Sequence, residues 1–224
     1  GVHWSTLVAL AAVSTAPVAQ VPTETPAARV ERNVVDRPGR PEIRVTVPAG
    51  AKYLGADRLV LKELSDCEMH IFVEADANHR VRRFYWVHFE SNLPTRPDDR
   101  MHYGDTDHRS RIWGKTIWTS FEPARMTRVP RPGSDTEHFR AIISNAGYSM
   151  PAGMMTARLV RLLDDPHDTG FGRHEVMMLY GEDLAASGLT FDDVTTDGKP
   201  NSRWAALEQP LLRRASHAFH MSEH

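Results

Sequence analysis

The chain reads as an α+β protein, with a mainly antiparallel sheet supplied by the N-terminal half and packed by helices from the C-terminal half. Three observations predict this. Residues 67–90 (CEMHIFVEADANHRVRRFYWVHFE) alternate in polarity through two runs around a polar turn, the pattern of a β-hairpin. Strand-like runs stand beside it at 42–47 (EIRVTV), 58–63 (RLVLKE) and 112–121 (IWGKTIWTSF). Helical spacing of apolar residues begins only after residue 134, and strands first with helices later suits α+β better than a doubly wound parallel sheet.

The first 23 residues contain no Asp, Glu, Lys or Arg, and Thr6 to Val13 is an apolar run of signal-peptide length followed by small residues. Residues 1–20 are therefore read as an export signal or, alternatively, as an N-terminal helical segment. The run is too short for a membrane span, which needs roughly 20 apolar residues. Pro17, Pro22, Pro26, Pro38 and Pro41 mark 21–41 as a Pro-rich linker or arm, leaving 42–224 as a single domain.

Within the hairpin, Cys67, Met69, Ile71 and Val73 share one face and Glu68, His70, Phe72 and Glu74 the other. The second run, Val81 to Phe89, is apolar on both faces and reads as a central strand. An even-numbered turn over Asp76, Ala77, Asn78 and His79 places Met69 opposite Trp86 and Cys67 opposite His88, and puts His70 and His88 on different faces. A His70/His88 metal pair is then disfavoured.

Asn92 to Asp107 carries prolines, glycine and aspartates without periodicity and reads as a long loop. Ser134-x-x-Glu137 is a capping-box pattern for a helix with Phe139, Ile142 and Ile143 inward and Gly147 at its end. Ser149 and Pro151 suggest a second helix, with a Met155/Leu159/Leu162 stripe opposite Arg158 and Arg161. Glu175 to Tyr180 reads as a buried strand. Ser202 is placed to cap a C-terminal helix with Trp204, Leu207 and Leu211 inward and a kink at Pro210.

A net charge of −2 and a pI near 6.7 argue against a nucleic-acid partner, whose binders concentrate basic charge. The single cysteine, Cys67, excludes an intramolecular disulfide framework and a Cys-based zinc cluster, and reads as a small buried apolar residue. No nucleophile elbow, phosphate loop or H-E-x-x-H motif is present.

Four groups could carry chemistry. Asp105, Asp107 and His108 bring carboxylates and an imidazole together in one loop, a set suited to acid/base catalysis or to a divalent cation. His167, Asp168 and His174 form a second Asp/His cluster with metal-ligand chemistry. Arg83, Tyr85 and Trp86 mix guanidinium and aromatic groups that suit fork bonding and stacking on a ligand. His217, His220 and His224 would share a helix face if the last helix ran that far. The sequence thus predicts an exported bacterial domain, periplasmic or extracellular, that binds a small molecule or envelope component. The alternative is a metal-dependent or acid/base hydrolase on the Asp/His loop.

Overall fold

The computed structural model describes residues 25–224, so the signal-like stretch 1–20 lies outside it. Its strands in chain order are β1 (Arg29–Glu31), β2 (Val34–Arg37), β3 (Ile43–Thr46), β4 (Lys52–Leu61), β5 (Ser65–Ala75), β6 (Val81–Asn92), β7 (Met101–His102) and β8 (His108–Ile112). There follow β9 (Lys115–Arg125), β10 (Gly153–Leu162), β11 (Phe171–Gly172), β12 (His174–Asp183), β13 (Thr195–Thr196), β14 (Lys199–Pro200) and β15 (His220–Glu223). The helices are α1 (Asp135–Asn145), the single turn α2 (Phe191–Val194) and α3 (Ser202–Ala218).

Seven strands form one antiparallel sheet in the order β4-β5-β6-β12-β10-β9-β8. It consists of two meanders, β4–β6 and β8–β12, joined along a β6–β12 seam. A four-stranded sheet, β1-β2-β3-β15, packs with α3 on one face, where Phe72, Val87, Leu159, Met178, Trp204 and Leu211 share a core. Part of the stretch read as an arm therefore forms a hairpin of this small sheet. On the other face α1 covers only the β4–β6 side, seating Phe139 against Phe84 and Trp86 at 4.8 and 4.7 Å between ring centres.

The α+β expectation is thereby overturned: 47% of the described residues are strand and 18% helix, and the C-terminal half is not a helical layer. The segment 149–162 accounts for much of the difference. Met155, Leu159 and Leu162 lie at helical spacing, yet Gly153–Leu162 is a strand between β9 and β12 with apolar residues buried on both faces. A central strand loses the polar alternation that would identify it, and pairing on both edges outweighs local helix preference. Arg158 and Arg161 are held there by Asp107 and Glu223, at 3.0 and 2.7 Å.

Other elements follow their local signals. Ser134 caps α1, its Oγ accepting the Glu137 N–H at 3.2 Å, while the Glu137 carboxylate reaches back to the Gly133 N–H. Asn201, one residue before the expected Ser202, caps α3. His217 lies in the last turn of α3 while His220 lies in β15, so the C-terminal histidines do not share a helix face.

The β5–β6 hairpin keeps its expected faces by a different route. Its loop spans five residues, 76–80, and a bulge that skips Arg82 restores the parity. Cys67 pairs with Glu90, Met69 with His88 and Ile71 with Trp86, two residues along from the expected register, and His70 and His88 lie on opposite faces.

Candidate functional site

The α1-covered face of the large sheet carries buried ionisable groups where the two meanders meet. Cys67 on β5, Glu90 on β6 and Glu175 on β12 lie side by side through successive register pairs, and His88 precedes Glu90 by two residues on the same face. The Cys67 thiol and the His88 Nε2–H each donate to Glu90 Oε1 at 3.0 Å, and the Trp86 indole N–H donates to His88 Nδ1 at 3.2 Å. The Tyr103 hydroxyl donates to Glu175 Oε2. Above it, the Arg158 guanidinium lies 5.4 Å from the Tyr103 ring centre and bonds both oxygens of Asp107.

Burial and mutual charge set the electrostatics. Glu175 is pushed up to about 7, first by burial and then by the Glu90 charge, against the Tyr103 hydrogen bond. Burial works to raise Glu90 as well, but its bonds from His88, Cys67 and Ser65 bring it below the usual carboxylate range. The Cys67 thiol is pushed far up by burial and by Glu90, so it is no free nucleophile. Burial opposes charge on His88, yet Glu90 raises its pKa overall. The indole N–H already occupies the Nδ1 lone pair, so the geometry is that of the neutral Nε2–H ring.

Two irregular loops close over this end of the face. β7 pairs with β11, Tyr103 N–H bonds the Gly170 carbonyl at 2.8 Å, and His102 stacks on Phe171 at 3.9 Å. A Cβ on Gly170, whose φ is +80°, would stand 2.8 Å from the Gly104 nitrogen, so glycine permits this approach. Asp165 holds the second loop by accepting the Thr169 and Gly170 N–H groups at 2.9 and 2.8 Å.

The residues singled out from sequence fall in different places. Asp107 and His108 border one cleft with Arg158, whereas Asp105 is exposed beside His102 at 3.3 Å. His167 is exposed, Asp168 occupies a positive-φ turn, and His174 Nδ1 lies 2.7 Å from Ser91 Oγ. Those three are not drawn into one ligand set. The two loops do converge, but the pairing they produce is Tyr103 with Glu175. Tyr85 and Trp86 lie on opposite faces, Tyr85 donating to Glu74 at 2.6 Å, and Arg83 lies 3.6 Å from Glu74.

Beside the buried cluster is a groove of about 300 Å³ between α1 and the β9–β10 side of the sheet. Half-buried Met177 and Leu179 form its floor next to Trp86, with Ser120, Thr156 and Arg158 beyond them. Arg140 of α1 also lines it; among the described residues it has no carboxylate partner, bonding only the Arg128 carbonyl at 3.3 Å. Burial pushes its pKa down. Glu122 and Asp135 supply acceptors at the rim.

Glu90, Glu175, Tyr103 and Arg158 were not recognised from sequence as one group. The available signal was strand parity, which already placed His88 on the Cys67 face and would place Glu90 there too. Comparison with family models, with curated proteins and with solved structures finds no match for the chain.

Proposed function

We propose that the chain binds a small amphipathic molecule in the groove between α1 and the β9–β10 side of the large sheet. The observation that carries this is the uncovered stretch of sheet face itself. α1 seals the β4–β6 side of this face, but here Met177 and Leu179 remain half-exposed between α1 and the Tyr103 loop, ringed by polar groups. Pockets with an apolar floor and a few convergent polar groups suit small ligands. The apolar body would lie on Met177, Leu179 and the Trp86 edge. Its polar end would meet Ser120, Thr156, Arg158 and Arg140, with Glu122 and Asp135 favouring a head that also donates hydrogen bonds.

A larger cleft of about 780 Å³ beside α3 supports this reading less well. It is lined in part by Ala185, Ala186 and Pro210, and its Arg214 is already engaged by both oxygens of Glu182.

The test is Thr156→Trp, which fills the groove from a half-exposed strand position. Native mass spectrometry of the purified chain should detect a bound small molecule, and anilinonaphthalene sulfonate should bind the folded protein with enhanced fluorescence. Both signals should disappear in Thr156→Trp while its melting temperature is retained. Equal signals in the two proteins would refute the proposal. Export, periplasmic or extracellular, remains part of the proposal and rests on the N-terminal sequence alone.

A further inference from the structure

We propose that Cys67, His88 and Glu90 form a binding site for a divalent transition metal of the zinc class, with Glu175 next to Glu90 across the β6–β12 seam. The inference is independent of the groove. Among the described residues these three are the group whose thiol, imidazole and carboxylate ligand atoms all lie within 4.8 Å of one another. Thiolate, imidazole and carboxylate are the donors zinc takes in four-coordinate sites.

The scaffold favours chelation over chance proximity. All four side chains project from one face of three adjacent strands, in register, so their spacing is fixed by ladder geometry and not by loops. Two carboxylates facing each other across the β6–β12 seam, Glu175 buried and Glu90 half-buried, are an arrangement that a bound cation would favour. Asn92, two residues beyond Glu90 on the same face, has a buried Oδ1 with no donor. A divalent ion bound by the Cys67 thiolate and Glu90 carboxylate would make that part of the site neutral.

Protons balance simply. The metal displaces the thiol proton of Cys67, which leaves to solvent, and the proton on His88 Nε2 moves to Nδ1 as Nε2 becomes the ligand. Trp86 then gives up its acceptor at Nδ1. The Cys67 and His88 hydrogen bonds to Glu90 go with those protons, and metal bonds to two anionic donors and an imidazole replace all three. No electron transfer is involved.

The experiment uses the full chain, stripped with EDTA and titrated with Co²⁺. Binding should saturate at one equivalent, with the intense visible bands of tetrahedral cobalt and a thiolate-to-cobalt charge-transfer band in the near ultraviolet. Zn²⁺ should abolish both stoichiometrically. The charge-transfer band separates this site from adventitious binding by the 12 histidines, because Cys67 is the only thiol. Glu90→Gln should keep the band but bind more weakly, by no less than the roughly tenfold that losing even a supporting residue costs a metal site. Cys67→Ser should lose the band and weaken binding similarly. Absence of the band in wild-type protein shown to be folded by circular dichroism overturns the proposal, whatever the variants do. Unchanged metal affinity in a folded Cys67→Ser overturns it equally.

Discussion

Replacing Glu175 by Gln should stabilise the metal-free protein at alkaline pH and have little effect at acidic pH. Glu175 is 3% exposed, so solvent screening does little to soften its environment. Its pKa is raised from an ordinary 4.5 to about 7, so the folded state holds the proton more tightly than the unfolded chain. The favourable contribution of the protonated acid is fully present below the unfolded value, fades as pH rises towards 7, and is gone above it. At about 1.4 kcal/mol per unit, the shift corresponds to about 3 kcal/mol. Gln has no charge to bury and its carbonyl can still accept the Tyr103 hydroxyl. Glu175→Gln should therefore exceed wild type by up to about 3 kcal/mol at pH 8, a rise of about 6–12 °C in melting temperature for a chain of this size. Urea titrations of both proteins in EDTA at pH 5 and pH 8 give the comparison. The difference between the two stability differences isolates Glu175 and the groups coupled to it. If mutant and wild type differ by the same amount at both pH values, Glu175 is not the strained acid that its position implies.

Three further outcomes are expected. A Cβ at Gly181 would lie 2.1 Å from the Phe84 ring, so Gly181→Ala should destabilise by about 1–3 kcal/mol in urea melts, with partial recovery on adding Phe84→Leu; equal stability would show that the ring has room to move. Glu68, which accepts the Ala27 and Ala28 N–H groups at 2.6 and 2.9 Å and the His70 Nε2–H at 2.6 Å, is lowered by these bonds against burial. Its contribution is present above the ordinary carboxylate range and lost as pH falls through the lowered value; Glu68→Gln should flatten that acid limb and accelerate hydrogen exchange at Ala28, and unchanged exchange would contradict the anchoring role. Asp107→Asn breaks a pair in which the carboxylate is 3% and the guanidinium 38% exposed, and should cost about 1–3 kcal/mol after allowance for solvent. Asp105, 82% exposed, should tolerate Asn within about 0.5 kcal/mol, and calorimetry showing the reverse order would reject the assignment.

How much of this was legible in the sequence varied with the range of the interaction. The β5–β6 hairpin, α1 and β12 were readable because their signals are local: alternation, a serine cap, a short apolar run. Parity even survived a wrong turn length, since the bulge at Arg82 compensates for the fifth loop residue. The segment 153–162 was misread because a strand buried on both faces offers no alternation, and its Met155/Leu159/Leu162 spacing fits a helix as well. The site was harder still. Arg158 meets Asp107 across 51 residues, and Tyr103 meets Glu175 across 72. No window of sequence contains both members of either pair, and the Asp/His loops that looked chemical use several of their acids to hold turns.

The seam between β6 and β12 also bears on the order in which the molecule assembles. The β4–β6 meander is built from neighbouring hairpins that can form by local pairing, whereas the seam joins residues more than 80 positions apart, such as Glu90 and Glu175. Long-range strand pairing carries the largest loop-closure cost and sets the pace of folding. If the seam forms after the rate-limiting step, Glu90→Gln should change the unfolding rate and leave the folding rate nearly untouched; an equal effect on folding would place the seam in the nucleus instead. The Glu90–Glu175 contact then exists only once the two meanders have met, whereas Cys67, His88 and Glu90 are already together in the β5–β6 hairpin. A ligand that engaged Glu175 as well as Glu90 would bind only the joined sheet, so its occupancy would act as a thermodynamic clasp across the seam.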